Sequence, residues 1–102
     1  MRKLLWDSIK TSSSFKKVTQ SGKKVHTPFF IFFNLPSNQF KLGVVASRKV
    51  GNAVARNRAK RLLRSAFSEI CKDSRSTTVL IAKPEILNTR YSEIKMWLNK
   101  AI

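Results

Sequence analysis

Residues 41–67 have the sequence KLGVVASRKVGNAVARNRAKRLLRSAF, which predicts a short apolar strand, a basic turn and a basic amphipathic helix. Between positions 48 and 64, seven of the seventeen residues are Lys or Arg and none is acidic. Burial cannot account for this run, because Lys and Arg are almost never fully buried without partners. The segment is therefore either solvated or bound to a polyanion.

The helix is predicted to begin at Gly51-Asn52, where Asn52 can act as the N-cap. No Gly or Pro follows until after residue 72. Apolar side chains recur at i, i+3, i+4, i+7, i+8 and i+11, which is the spacing of one buried helical face. The residues of this face are Ala59, Leu62, Leu63, Ala66, Phe67 and Ile70.

The opposite face of this helix is a basic stripe formed by Arg56, Asn57, Lys60, Arg61 and Arg64, with Arg58 to one side. Like charges four residues apart repel by about 0.2–0.5 kcal/mol per pair, and cations near a helix N-terminus oppose the macrodipole. An anionic ligand would reverse both effects, and the free N–H groups at the helix start also bind phosphate. A merely solvated face is the alternative, but the density of cations and the missing acids favour a polyanion.

Composition agrees with this interpretation. The chain has 102 residues, enough for one domain with a modest core, and carries 21 Lys and Arg against 5 Asp and Glu, a net charge of +16. Such a charge implies a nucleic-acid or anionic-membrane partner. No apolar run approaches the roughly 20 residues of a spanning helix, and the N-terminus does not resemble a signal peptide. We therefore expect a cytoplasmic protein with no membrane partner.

Residues suited to catalysis are scarce. Cys71 is the only cysteine and lies near the apolar arc of the helix, so we interpret it as a core residue rather than a nucleophile. His26 is the only histidine, and we interpret it as a surface loop residue. The sequence has no nucleotide-binding Gly-rich loop, no paired-carboxylate motif and no thiol-based metal site. We therefore predict no catalytic residue and no protein metal site.

Taken in order, residues 1–11 are predicted to form a loose N-terminal arm. A short helix follows at 15–21, with an N-cap among 12–14 and Gly22 as its stop. The strongest strand signal is PFFIFFNL at 28–35. Alternation places Phe29, Ile31 and Phe33 on one face, and Phe30 and Phe32 on the other. Either helices cover both faces, or one face is a stacking platform; we expect at least one exposed aromatic side chain.

The remaining elements complete an α+β domain. Residues 40–47 form the next strand, antiparallel to the first because the link is short. A polar loop at 72–77, a strand at 78–82 and a last helix capped by Asn88 or Thr89 follow, and an extra strand fits near Val25. The last helix buries Ile94, Trp97, Leu98 and Ala101. The order α-β-β-α-β-α, with room for the extra strand, predicts a single α+β or split-βαβ domain over 1–102.

The string SRKVGNAVARNRAKRLLRSAF at 47–67 closely resembles the signature of the bacterial ribonuclease P protein family, including its Arg-Asn-Arg motif at 56–58. The resemblance extends to SFKKV at 14–18, to PFFIFF at 28–33, and to VLIAKP at 79–84 followed by a helix that begins at Tyr91. It implies a compact, ribosomal-protein-like α/β sandwich with a left-handed βαβ crossover. Handedness rules alone would predict the opposite.

The resemblance also implies a function. Members of the family are the small subunit of a ribonucleoprotein whose RNA subunit removes the 5′ leader of precursor tRNA by Mg²⁺-dependent hydrolysis. The implied partners are ribonuclease P RNA and precursor tRNA, not DNA, and Mg²⁺ is held mainly by the RNA. Two other functions stay open: a structural RNA-binding protein of ribosomal type, and an autonomous nuclease, which would need a carboxylate or His cluster.

By position, the resemblance assigns RNA binding to Arg48, Lys49, Asn52, Arg56, Asn57, Arg58, Lys60, Arg61 and Arg64. It assigns a cleft for the single-stranded leader, between the first helix and the sheet, to Phe15, Lys16, Phe33 and Ser47. The chain departs from the family pattern at three places. Thr19 stands where a second aromatic is usual, Phe33 where Tyr is usual, and Thr27-Pro28 where Asn-Arg is frequent.

Overall fold

A computed structural model describes residues 7–8, 12–37, 40–70 and 76–102 of this chain. The strands are β1 (Asp7–Ser8), β2 (Lys23–His26), β3 (Phe30–Pro36), β4 (Lys41–Ala46) and β5 (Ser76–Ala82). The helices are α1 (Ser12–Ser21), α2 (Ala53–Ile70), a 3₁₀ helix (Pro84–Asn88) and α3 (Tyr91–Ala101). The strands form one sheet in the order β1-β4-β5-β3-β2. The predicted α+β class is confirmed.

Strand β5 occupies the centre of this sheet. It pairs antiparallel with β3, where Val79 faces Phe33, and parallel with β4, where Leu80 faces Val44. The predicted antiparallel direction of the strand at 40–47 relative to the strand at 28–35 is confirmed, but the two are not neighbours, because β5 lies between them. The central position buries both faces of β5, which explains its nearly continuous run of buried side chains. The unit β4–α2–β5 is a parallel crossover, and its left-handedness stays a prediction.

Helices cover both faces of the sheet. Phe30 and Phe32 of β3 lie in the main core with Leu63 and Phe67 of α2, and α3 adds Ile94, Leu98 and Ala101. On the other face a smaller core joins Phe33 and Val79 to Val18 of α1. Both faces of β3 are aromatic because each packs against a helix.

The prediction of at least one exposed aromatic side chain is wrong for the part of the chain that the structure describes. The aromatic residues there are buried or partly buried, and Phe33 retains only 6% of its accessible surface. Phe29 also departs from the predicted alternation. It packs against the main core with Phe30 and not beside Phe33, because it precedes the first residue of β3.

Helix α2 agrees closely with the sequence pattern. Asn52 caps it, because the Asn52 Oδ1 atom accepts a hydrogen bond of 2.9 Å from the Ala55 N–H. The residues buried on its inner face are Ala59, Leu63, Ala66 and Phe67, while Leu62 and Ile70 are partly buried against the same core. The predicted N-cap and apolar face are confirmed.

Several boundaries differ from the prediction. Helix α1 begins at Ser12, three residues early, and ends as predicted, with the Gly22 N–H bonded to the Val18 carbonyl at 2.9 Å. The extra strand near Val25 is β2, which places His26 in an exposed strand rather than in a loop. Strand β5 begins at Ser76, inside the predicted loop 72–77.

The C-terminal third contains two further differences. The 3₁₀ helix was not predicted, and the N-cap of α3 is Arg90 rather than Asn88 or Thr89. The start of α3 at Tyr91 is confirmed, and its Trp97 is partly buried against the core. Of the predicted arm 1–11, only Asp7–Ser8 is described, and it pairs with Lys41 and Leu42. Cys71 lies outside the described residues.

Candidate nucleic-acid interface

The outer face of α2 is a continuous cationic surface, here called the α2 basic surface. It consists of Arg56, Asn57, Arg58, Lys60, Arg61 and Arg64. Asn57, Arg58, Arg61 and Arg64 are exposed, and the other two are partly buried. Among the described residues the one ion pair joins Lys95 to Glu69, so no carboxylate neutralises these cations. The predicted stripe is therefore a surface of uncompensated positive charge.

Arg56 has an unusual environment at the start of this surface. Its Nε atom is buried and finds no hydrogen-bond partner among the residues that the structure describes. Leaving a buried donor unsatisfied costs about 1–3 kcal/mol, and more when the group is charged. An anion at this point would therefore bind Arg56 more tightly, because part of the cost of desolvating this side chain is already incurred when the protein folds.

A tight turn carries Arg48 and Lys49 to the N-terminal end of α2. The Val50 N–H bonds to the Ser47 carbonyl at 3.0 Å, and the Gly51 N–H bonds to the Arg48 carbonyl at 3.1 Å. Gly51 has a φ of +144°, a conformation that side chains other than glycine rarely adopt. Val50 is buried and anchors the turn, so Arg48 and Lys49 stay exposed beside the α2 basic surface.

The residues predicted to line the leader cleft lie on the opposite face of the sheet, where α1 crosses it; we call the surface around Phe15, Lys16 and Phe33 the α1 groove. Phe15 is partly exposed and packs against the smaller core that contains Phe33. Lys16 is exposed on the same helix. Because the Phe33 ring is nearly covered, Phe15 is the aromatic side chain that a ligand in this groove would contact.

The sheet face that carries Phe33 continues through β5 to β4. Cross-strand pairing places Gly43 opposite Val79 and Val45 opposite Ile81, so both lie on the α1 face. Continued alternation places exposed Ser47 on this face as well. Ser47 is two strands away from Phe33 and four residues beyond Gly43, which is in register with Phe33 through Val79; the separation is therefore roughly 16 Å at the usual strand dimensions. The structure thus brings Phe15 and Phe33 together, and it places Ser47 at the far side of the same face.

Gly22 fixes how closely α1 approaches the sheet. A Cβ atom at this position would lie 2.5 Å from the Val18 carbonyl oxygen and 2.8 Å from the Asn34 carbonyl oxygen. Thr19, where the family usually has an aromatic, turns back onto its own helix. Its hydroxyl donates to the Phe15 and Lys16 carbonyls, at 3.2 and 3.1 Å.

Two local arrangements here were missed by the sequence analysis. The Lys24 Nζ atom lies 5.7 Å from the centroid of the Phe33 ring, so a cation from β2 covers the aromatic at the groove. Thr27 closes the β2–β3 turn, where its hydroxyl bonds to the Phe30 carbonyl at 2.7 Å. The sequence could have revealed the first of these: pairing Val25 with Phe32 in an antiparallel hairpin places Lys24 opposite Phe33.

The described residues do not fit a protein-held Mg²⁺ ion. Within them, no group of three or more His, Cys, Asp or Glu residues is placed to hold a metal. Mg²⁺ prefers an octahedral set of oxygen ligands and is often bound through phosphates. Within the same residues, no helix is long and apolar enough to cross a membrane.

The fold and this surface together define a small, strongly basic α+β protein of the kind that faces polyanions. The family model described as Ribonuclease P matches residues 6–102. A ribonuclease P protein component from a Nitratiruptor species is 35% identical over 96 residues, which cover 93% of this chain and 88% of that protein. The chain belongs to the ribonuclease P protein family, the protein components of a ribonucleoprotein that acts in tRNA processing.

Solved structures agree with this assignment. The RNase P protein of Staphylococcus aureus superposes with a TM-score of 0.79 at 25% identity, covering 96% of this chain and 92% of that chain. The RNase P protein from Thermotoga maritima superposes with a TM-score of 0.78 at 21% identity, covering 94% and 97%. The second likeness is one of fold alone.

Proposed function

We propose that this protein binds the RNA subunit of ribonuclease P through the α2 basic surface and the single-stranded 5′ leader of precursor tRNA through the α1 groove. In this way it promotes Mg²⁺-dependent removal of the leader by the RNA subunit, in the cytoplasm. One observation carries the proposal: among the described residues, no carboxylate pairs with the cations of the α2 basic surface.

The α2 basic surface suits a folded RNA. Arg side chains offer planar forks to phosphates and also stack on bases, and Arg58, Arg61 and Arg64 are exposed on one rigid helix. Asn57 stands among them with an exposed amide, which can hydrogen-bond a base edge. Arg48 and Lys49 extend the same surface through the turn that precedes α2.

The α1 groove suits a single strand. Proteins bind single-stranded RNA with grooves that combine positive charge and aromatic side chains, and one base stacked on an aromatic contributes about 1–3 kcal/mol. Phe15 offers such a ring, Lys16 and Lys24 offer charge, and Gly43 leaves the neighbouring strand without a side chain. Thr19 adds no second ring, so Phe15 carries the stacking alone.

The chemistry is assigned to the RNA subunit. When bound, Mg²⁺ would activate the attacking water and stabilise the leaving oxygen. The protein contributes position and charge: it holds the leader in the α1 groove and reduces phosphate repulsion at the α2 basic surface. No residue of this chain is given a proton-transfer role.

Reconstitution tests the proposal. The purified protein is mixed with a bacterial ribonuclease P RNA at low Mg²⁺, and 5′ cleavage of a precursor tRNA is followed. We expect strong stimulation that is lost in Arg56→Ala/Arg58→Ala. The matched control Arg90→Ala/Lys100→Ala removes the same charge from the region of α3 and should retain stimulation.

A substitution in the α1 groove separates the two surfaces. Phe15→Ala should weaken binding of precursor tRNA relative to mature tRNA and leave affinity for the RNA subunit unchanged. Equal losses of affinity for precursor and mature tRNA would contradict the assignment of the leader to the α1 groove. Tight RNA binding without stimulation by the unaltered protein would instead favour a structural RNA-binding protein.

A further inference from the structure

A row of hydrogen-bonding side chains runs along α2 beside its cations. Asn57, Arg61, Ser65 and Glu69 recur every four residues and therefore lie on one line of the helix. The C-terminal part of this row faces α3 across an open groove of about 320 Å³. The groove is lined by Arg61, Leu62, Ser65, Glu69 and Tyr91, and we call it the α2–α3 groove.

The α2–α3 groove is separate from the α1 groove. Helices α2 and α3 cover the sheet face that carries Phe30 and Phe32, whereas α1 covers the opposite face. It is continuous with the α2 basic surface, because Arg61 belongs to both. A ligand that followed the cations along α2 would therefore reach this groove without leaving the same side of the molecule.

A fixed carboxylate distinguishes the groove from the rest of α2. Glu69 is the only acid in this helix, and its side chain is about half exposed. The Tyr91 hydroxyl donates to the Glu69 Oε2 atom at 3.0 Å, and the Lys95 Nζ atom lies 3.3 Å from the same oxygen. Helix α3 thus holds one negative charge in place at the end of a cationic surface.

This carboxylate restricts what the groove can bind. An ionised carboxylate only accepts hydrogen bonds, so a ligand that contacts it must present a donor, and carboxylates in nucleic-acid complexes accept from the exocyclic amino group of cytosine. Leu62 and the Tyr91 ring provide apolar contact for a flat base. Arg61 provides charge for its phosphate. An enclosed cavity of about 150 Å³ already accommodates benzene, so an open groove of 320 Å³ has room for a base.

We propose that the α2–α3 groove binds one unpaired nucleotide of an RNA and prefers cytosine to uracil through Glu69. The inference rests on the proposed function, since it adds a base-reading site to the surface proposed for RNA. Cytosine presents an amino group at its position 4, where uracil presents a carbonyl oxygen. The two bases carry the same phosphate, so the preference isolates the contact with Glu69.

The test compares 5′-CMP with 5′-UMP by titration into the isotope-labelled full chain, with binding followed through backbone amide resonances. We expect CMP to shift the resonances of Ser65, Glu69 and Tyr91 and to bind about three- to tenfold tighter than UMP, the effect of one hydrogen bond. Glu69→Gln should abolish this preference. The matched control Glu93→Gln makes the same charge change on α3, where the Thr89 hydroxyl binds the carboxylate, and should keep it.

Three outcomes would overturn the inference. Equal affinity of CMP and UMP at the α2–α3 groove would contradict the preference for cytosine. Resonance shifts confined to residues of the α1 groove would show that the nucleotide binds there instead. An unchanged preference in Glu69→Gln would leave Glu69 as a bridge between the two helices only. If the protein still stimulates reconstituted cleavage when any of these results is obtained, the proposed function is supported and only the nucleotide site in the α2–α3 groove is contradicted.

Discussion

Replacing Gly22 by alanine should separate α1 from the sheet. The added Cβ atom would lie 2.5 Å from one backbone oxygen and 2.8 Å from another, whereas close C···O contacts in proteins are about 3.3–3.6 Å. The contacts are therefore too short by roughly 0.5–0.8 Å. Both oxygens belong to backbone, so no side-chain rotation relieves the clash. The Val18 oxygen is in α1 and the Asn34 oxygen is in β3, so the end of α1 must unwind as well as move away from the sheet.

The expected loss of stability follows from two opposing terms. Overpacking of this kind costs about 2–3 kcal/mol, while alanine restricts the unfolded chain and returns about 0.4–1 kcal/mol. The free energy of unfolding should therefore fall by about 1–2.5 kcal/mol. Because α1 carries Phe15, the preference for precursor over mature tRNA should fall with it, while affinity for the RNA subunit is retained.

Urea unfolding followed by far-UV circular dichroism measures the change in the free energy of unfolding. Urea is suitable for this highly charged chain because it leaves the ionic strength unchanged. Ser21→Ala is the matched control, because Ser21 is exposed and lies one residue earlier; its stability should stay within about 0.5 kcal/mol of the unaltered protein. A Gly22→Ala protein as stable as this control, with its precursor preference intact, would refute the close approach of α1 to β3.

Two other predictions concern α2. Asn52→Ala removes the acceptor for the Ala55 N–H and should lower the free energy of unfolding by about 1 kcal/mol, whereas Asn52→Asp keeps an acceptor and most of the stability; equal stability of both variants in urea would contradict the cap. Affinity for ribonuclease P RNA should fall linearly on a log–log plot against salt, by about 0.7–0.9 in slope per neutralised phosphate, and Arg58→Ala should reduce that slope by about one such contact. Affinity that does not depend on salt would contradict the assignment of the α2 basic surface to phosphates.

Features set by neighbouring residues were predictable from the sequence. The N-cap at Asn52, the buried face around Leu63 and the end of α1 at Gly22 depend on contacts within a few positions of the chain, which spacing and residue type report directly. The α2 basic surface was predictable for the same reason. A regular helix converts the order of its residues into a surface without reference to the rest of the fold.

Features set by distant residues were not predictable in this way. The short link between β3 and β4 correctly indicated antiparallel strands, but it did not reveal that β5 lies between them, because that position depends on the burial of β5 by residues distant in sequence. Of the two alternatives for the aromatic strand, the structure shows helices on both faces and no stacking platform, because α1, correctly predicted as a helix, covers Phe33. The α2–α3 groove depends on where Tyr91 of α3 meets α2, which only the packed structure reveals.

The central place of β5 has a consequence for how the protein is made. Strands β3 and β4 flank β5 and do not pair with each other, so the sheet cannot close before residues 76–82 have left the ribosome. Contacts between strands far apart in sequence form slowly, because a long loop must close first. We expect the nascent chain to show no leader-binding face until its last third is synthesised, and then to gain the whole sheet in one cooperative step.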